Sequence, residues 1–226
     1  MAIQGVLLDI DGTLVLSNDA HAQAYVGAFA ELGYQIKFED VRPLIGMGGD
    51  QVIPRMVPQL SGKQGIGKQV ADRRKQLIIE KFSSNLAPAP GSRELVQQLK
   101  QDGFKLVVAT SATSQELSSL LKAAGVEDLL AGEPTTTSSD ADASKPEPDL
   151  VQAALNKGQL QPLQAIMLGD TPYDIQAASQ AGVGVIAFRC GGFDDAQLAN
   201  AIAIYNDPAD LLQQYQQSPL GQRETV

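Results

Sequence analysis

The 226-residue chain carries 26 Asp and Glu against 17 Lys and Arg, a formal net charge of -9. That balance excludes a general surface for nucleic-acid phosphates, which needs a basic face, but still allows one local phosphate site. With 43% hydrophobic residues and one cysteine, Cys190, the chain is expected to bury a real core, to form no internal disulfide and to suit a reducing, cytoplasmic setting.

The N-terminal stretch MAIQGVLLD lacks a basic flank and a long apolar run, so neither a signal peptide nor a membrane span is expected. GVLL (5–8) reads as a first buried strand. From Asn18 to Phe82 no good strand follows. NDAHAQAYVGAFAELG and GKQVADRRKQLIIEKF instead carry apolar residues at helical spacing, which predicts an inserted helical unit. LAPAPG (86–91) reads as the return linker, because prolines impose extended backbone, and Val15–Ser17 as the hinge on the way in.

Beyond the linker, apolar runs alternate with helical patterns. FKLVVA (104–109), QAIMLG (164–169) and VGVIAF (183–188) are strand-like, and AIAIY (201–205) is a weaker fifth. Ser92–Gln101, Ser114–Ala124, Asp149–Lys157 and Asp174–Ala181 are helix-like, with Gly103, Gly125 and Gly182 as stops. Apolar strands separated by helices predict an α/β fold: a Rossmann-like parallel sheet with helices on both faces. The expected division is a core of residues 1–16 and 87–226 around a helical domain of 17–86. The polar tail is expected to fray, and its final ETV resembles a PDZ-type carboxylate ligand only as three residues often do by chance.

Parallel α/β sheets bind ligands at the carboxyl ends of their strands. There the first strand hands over Asp9 and Asp11, which on an extended strand would share a face and repel. The next gives Thr110 and Ser111, the SKPEPD segment gives Lys145, and the strand before GDTPYD gives Asp170, with Asp174 one helical turn on. A cation or paired proton chemistry would relieve the repulsion.

The motifs DIDGTL, VVATS, SKPEPD and GDTPYD, in that order, resemble those of the haloacid dehalogenase-like hydrolase superfamily, and the resemblance spans nearly the whole chain. It implies that the helical insertion is a cap. It implies Asp9 as nucleophile forming an aspartyl-phosphate, and Asp11 as acid, then base. An acid role predicts a raised pKa for Asp11, which its negative neighbour would favour. Mg²⁺ would be held by the Asp9 carboxylate, the Asp11 backbone carbonyl and Asp170. Thr110 and the Ser111 amide would bind phosphoryl oxygens, Lys145 would neutralise them, and Asp174 would orient Lys145 or act through a metal-bound water.

By the same resemblance, the dehalogenase branch lacks an acid at the Asp11 position, since halide leaves without a proton, so Asp11 implies a phosphate ester. The expected activity is hydrolysis of a small phosphorylated metabolite by a monomer, with neither nucleic acid nor membrane as partner. A phosphosugar mutase of the β-phosphoglucomutase type is the alternative, disfavoured because LIGMGGDQVIP carries Gly48 and Gly49 and no arginine in the loop. A phospho-ligand-binding protein without turnover is the non-enzyme reading. His21, the one histidine, is read either as facing the site or as an ordinary helix-surface residue; with Gly48 and Gly49 it marks the candidate specificity surface. Cys190 is expected to be packed and unreactive.

Overall fold

The structure, a computed structural model, describes residues 2–222. In chain order the strands are β1 (Gly5–Leu8), β2 (Val15–Leu16), β3 (Ala87–Pro88), β4 (Lys105–Ala109), β5 (Thr135–Thr136), β6 (Ala165–Gly169), β7 (Gly184–Phe188) and β8 (Ala203–Tyr205). The α-helices are α1 (Asn18–Glu31), α2 (Phe38–Val41), α3 (Gly49–Met56), α4 (Gly65–Leu77), α5 (Ser92–Gln101), α6 (Ser114–Ala123), α7 (Glu127–Leu130), α8 (Asp149–Gly158), α9 (Pro172–Gln180) and α10 (Pro208–Gln213).

Six strands form a sheet in the order β5-β4-β1-β6-β7-β8, and every neighbouring pair is parallel. β1 is entirely buried because it is central, between β4 and β6, and because both faces are covered. Alternation divides its side chains between the faces. Val6 and Leu8 join one apolar cluster with Leu95, Leu99, Leu117 and Leu211 from α5, α6 and α10. Leu7 joins the other with Val151, Ala154 and Ile175 from α8 and α9. Truncating such a side chain to alanine costs about 2–5 kcal/mol, so the uninterrupted apolar run of β1 is what fixes the centre of the sheet.

The chain builds outward from β1 to β4 and β5 on one side, then returns to β6, β7 and β8 on the other. This reversal of strand order opens a crevice at the carboxyl end of β1.

The helices between residues 18 and 82 have an apolar cluster of their own, with Phe29, Ile53, Val70 and Ile78 at its centre. The chain enters and leaves this layer through a two-stranded antiparallel ribbon, in which Val15 pairs with Pro88 and Leu16 with Ala87. The hinge and linker segments therefore pair with each other, which their sequences did not announce. The tail also differs from expectation. Tyr215 and Leu220 are buried in the first cluster, so the chain is packed to this point. Glu224-Thr225-Val226 lies outside the described residues. No described helix is long and apolar enough to cross a membrane.

Candidate active site

β1 stops at Leu8, so Asp9 and Asp11 lie past its end rather than on one strand face. Asp9 stays in register, its amide donating to Leu168 O at 3.0 Å. At Gly12 the backbone turns with φ +79°, a conformation glycine takes without strain. The two carboxylates thereby part, and each finds its own partners.

Asp9 Oδ1 accepts from Lys145 Nζ at 2.6 Å, and Oδ2 from Thr13 Oγ1 at 2.9 Å. Thr13 Oγ1 also lies 3.0 Å from Asp170 Oδ1. Asn18, the first residue of α1, donates to Asp170 Oδ2 at 2.7 Å and to Gly191 O at 2.9 Å. Thr171 caps α9: its hydroxyl and amide donate to Asp174 Oδ2 at 2.7 and 3.0 Å in a capping box. That leaves Asp174 Oδ1 for Lys145, 2.7 Å away but off the line of a good hydrogen bond. Lys145 is thus a fully buried cation between two carboxylates, and donates as well to Ala109 O at the end of β4.

Burial pushes Asp9 up to about 7, against the pull of Lys145 and with the push of Asp174. Burial, then the charges of Asp174 and Asp9, lifts Asp170 well above the usual carboxylate range. For Lys145, burial works against the charge, but Asp174 and Asp9 outweigh it and the ammonium is held above its ordinary value.

Asp11 is a correction to the sequence reading. Burial favours its neutral form, yet the pull of His21 and the hydrogen bond from Ser17 prevail, and its pKa is lowered, not raised. Ser17 Oγ donates to Asp11 Oδ1 at 2.5 Å and His21 Nε2 lies 2.7 Å from the same oxygen. His21 is buried and faces the site, which decides between its two readings. Its Nδ1 lies 3.1 Å from Arg74 Nη1, which can only donate. Nδ1 therefore faces a donor, and Nε2 faces Asp11.

Thr110 is buried, its hydroxyl accepting from the Ala112 amide at 3.0 Å. Ser111 Oγ is buried without a partner. Gly48 donates its amide to Ser144 Oγ at 3.1 Å, and Asp50 bonds the same hydroxyl, so the glycine loop sits directly on the residue before Lys145. Cys190 Sγ rests against Gly12 O at 3.3 Å; burial and the Asp170 charge push its thiol up to about 12, consistent with an inert group.

Carboxylate oxygens of Asp9, Asp170 and Asp174 lie within 4.8 Å of one another, all buried. An all-oxygen set of this kind suits a hard divalent cation. The ground beside it is kept clear by glycines: a Cβ on Gly191 would stand 1.9 Å from Asp170 Oδ2, and one on Gly12 2.1 Å. The Asp11 carboxylate is outside this set; only its backbone carbonyl was assigned to a metal.

Asn18, Thr13, Ser17, Arg74 and Glu116 were not singled out from sequence. Thr113-x-x-Glu116 has the spacing of a capping box, a signal for the helix start that says nothing of the Glu116 ion pair to Arg74.

The chain matches the haloacid dehalogenase-like hydrolase family over residues 6–188. It belongs to that family. A phosphoglycolate phosphatase of Mannheimia succiniciproducens is 31% identical over 90% of this chain and 94% of its own. A crystal structure of CbbY from Rhodobacter sphaeroides in complex with phosphate is 26% identical, with a TM-score of 0.74 over 92% of this chain and 96% of that one. A hydrolase from Pseudomonas syringae, 24% identical, shares the fold with a TM-score of 0.87 over 95% of this chain and 98% of its own.

Proposed function

We propose that this haloacid dehalogenase-like hydrolase is a divalent-metal-dependent phosphatase, hydrolysing a small phosphomonoester through an aspartyl-phosphate on Asp9. The observation that carries the reading is the Asp9 environment: a buried carboxylate facing a cavity, held from one side by Lys145 and from the other by Thr13, beside two further acids. The similarity to a phosphoglycolate phosphatase over nearly the full chain supports the reaction class.

Asp9, Asp170 and Asp174 are the residues whose carboxylates would hold the ion, with the Asp11 carbonyl as a further oxygen. Mg²⁺ bound there would supply charge neutralisation for the phosphoryl group. The chain's own residues do the rest. Lys145 keeps Asp9 ionised and oriented. Thr110 holds the turn that presents the Ser111 amide to the phosphoryl oxygens. Asp11 in its protonated form gives its proton to the leaving oxygen and, ionised, takes one back from the attacking water; Ser17 and His21 set it in place and favour the second, ionised state. The helical layer of residues 17–86 serves as the cap that closes over the site and excludes water.

The test is phosphate release from a panel of small phosphomonoesters by wild type and Asp9→Asn, with Mg²⁺ and with a chelator. Release that needs the ion and vanishes in the variant supports the proposal. Release only when a bisphosphorylated sugar is supplied would instead point to the mutase.

A further inference from the structure

Arg74 of α4 and Glu116 of α6 meet where the helical layer closes over the sheet. Arg74 Nη1 lies 2.5 Å from Glu116 Oε1, with the carboxylate fully buried. Thr113 fixes Glu116 from the other side through the capping box, donating both amide and hydroxyl to Oε2. The guanidinium lies 5.3 Å from the Tyr25 ring centroid. Its Nε is buried and has no acceptor.

Arg74 and Ser111 border two spaces. One is a cavity of about 40 Å³ beside Asp9 and Asp11, and the other an adjoining cleft of about 240 Å³ bounded by Gly48, Gly49 and Lys75. Carboxylates outnumber cations around the inner cavity: Asp9, Asp11 and Asp174 line it, Lys145 behind Asp9 and Asp174 offsets one of those charges, and Glu116 neutralises Arg74. The outer cleft is mixed. Lys63 donates to Asp142 O at 2.6 Å, Lys75 lies 3.5 Å from Asp72, and Asp50 faces the same space. A leaving group with a carboxylate or second phosphate held in the inner cavity would thus be buried among an excess of acids, and would reach Lys63 and Lys75 only by extending into the outer cleft. A hydroxyl would instead satisfy the two idle donors, Arg74 Nε and Ser111 Oγ.

We infer that the Arg74–Glu116 pair acts as a charge filter, so that this site selects phosphomonoesters with an uncharged, hydroxyl-bearing leaving group over those whose leaving group carries a second anion. The inference rests on the phosphatase reading above.

Two size-matched pairs of esters test it: 2-hydroxyethyl phosphate against 2-phosphoglycolate, and glycerol 3-phosphate against 3-phosphoglycerate. The readout is the ratio of kcat/KM within each pair, in which damage common to both esters cancels. Wild type is expected to favour the hydroxyl ester by about tenfold or more. Glu116→Gln, which unmasks the arginine charge, should move the ratio toward the carboxylate ester by about tenfold. Arg74→Gln should move it the other way, and the double variant should return it near wild type. A wild type that treats the members of a pair alike or prefers the carboxylate overturns the filter. So do two single variants that shift the ratio in the same direction or leave it unmoved. Should one variant melt below the assay temperature, the wild-type ratio and the other variant decide. A wild type that cleaves an aryl phosphate but neither hydroxyl ester also overturns it, whereas one that cleaves no ester at all sinks the phosphatase reading itself.

Discussion

The Lys145 ammonium lies 2.6 Å from Asp9 Oδ1, and both side chains are buried. Lys145 also lies 2.7 Å from Asp174, so removing it strips the cation from two buried carboxylates, a loss of about 3–5 kcal/mol, whereas removing Asp9 leaves Lys145 its second partner. Lys145→Met should therefore lower the melting temperature as well as abolish phosphate release. The double variant Asp9→Asn/Lys145→Met should recover part of the stability, since Asp174 still lacks its cation, and none of the activity. Thermal melts of the three proteins check this; a Lys145→Met variant as stable as wild type would show that the pair is not coupled.

The raised pKa of Asp9 gives the metal-free protein a definite pH dependence. A carboxyl pushed from 3.8 to about 7 contributes stability that is complete below the lower value and is lost as pH climbs through the upper one. A divalent ion favours the ionised form and opposes that loss. The rise in melting temperature on adding Mg²⁺ should be larger at about pH 7.5 than at about pH 5.5. Scanning calorimetry at the two pH values measures it, and an equal rise at both would contradict the assignment.

His21 and Ser17 hold Asp11 in its ionised form. His21→Gln should reduce kcat by about 10-fold or more. It should also shift the Asp11 limb of the pH–rate profile to higher pH, because a ligand that favours the charged state has been removed. A uniform drop in rate with an unmoved profile would mean that His21 acts only on packing.

Gly191 is needed for the room it leaves. An alanine Cβ would stand 1.9 Å from Asp170 Oδ2, so Gly191→Ala must displace that carboxylate. Weaker Mg²⁺ binding, by about 10–100-fold, is the expected result. Titration calorimetry on the variant tests it, and unchanged affinity would place the ion away from Asp170.

Much of this arrangement was legible in the sequence because it is local. The strands β1, β4, β6 and β7 are short apolar runs that stay buried on both faces, and their ends carry Asp9, Thr110 and Asp170 in chain order. β5 was missed because Thr135–Thr136 is two residues long and shows no period. The ribbon of β2 and β3 was missed for the same reason. What could not be read was pairing across distance. The direction of the Asp11 shift depends on His21 and Ser17, and Arg74 meets Glu116 across 42 positions. Arg74 and Glu116 look in sequence like ordinary helix residues, and His21, though singled out, could not be assigned a partner until the helical layer was packed against the sheet.

Entry to and exit from the helical layer run side by side, Leu16 opposite Ala87. Everything between those two residues is therefore topologically a single long excursion from one hairpin. Its length and sequence can change without altering the register of any strand in the six-stranded sheet. Evolution can exchange the helical layer of such a molecule as a cassette, provided the newcomer again supplies what Ser17, Asn18 and His21 give to the acids below.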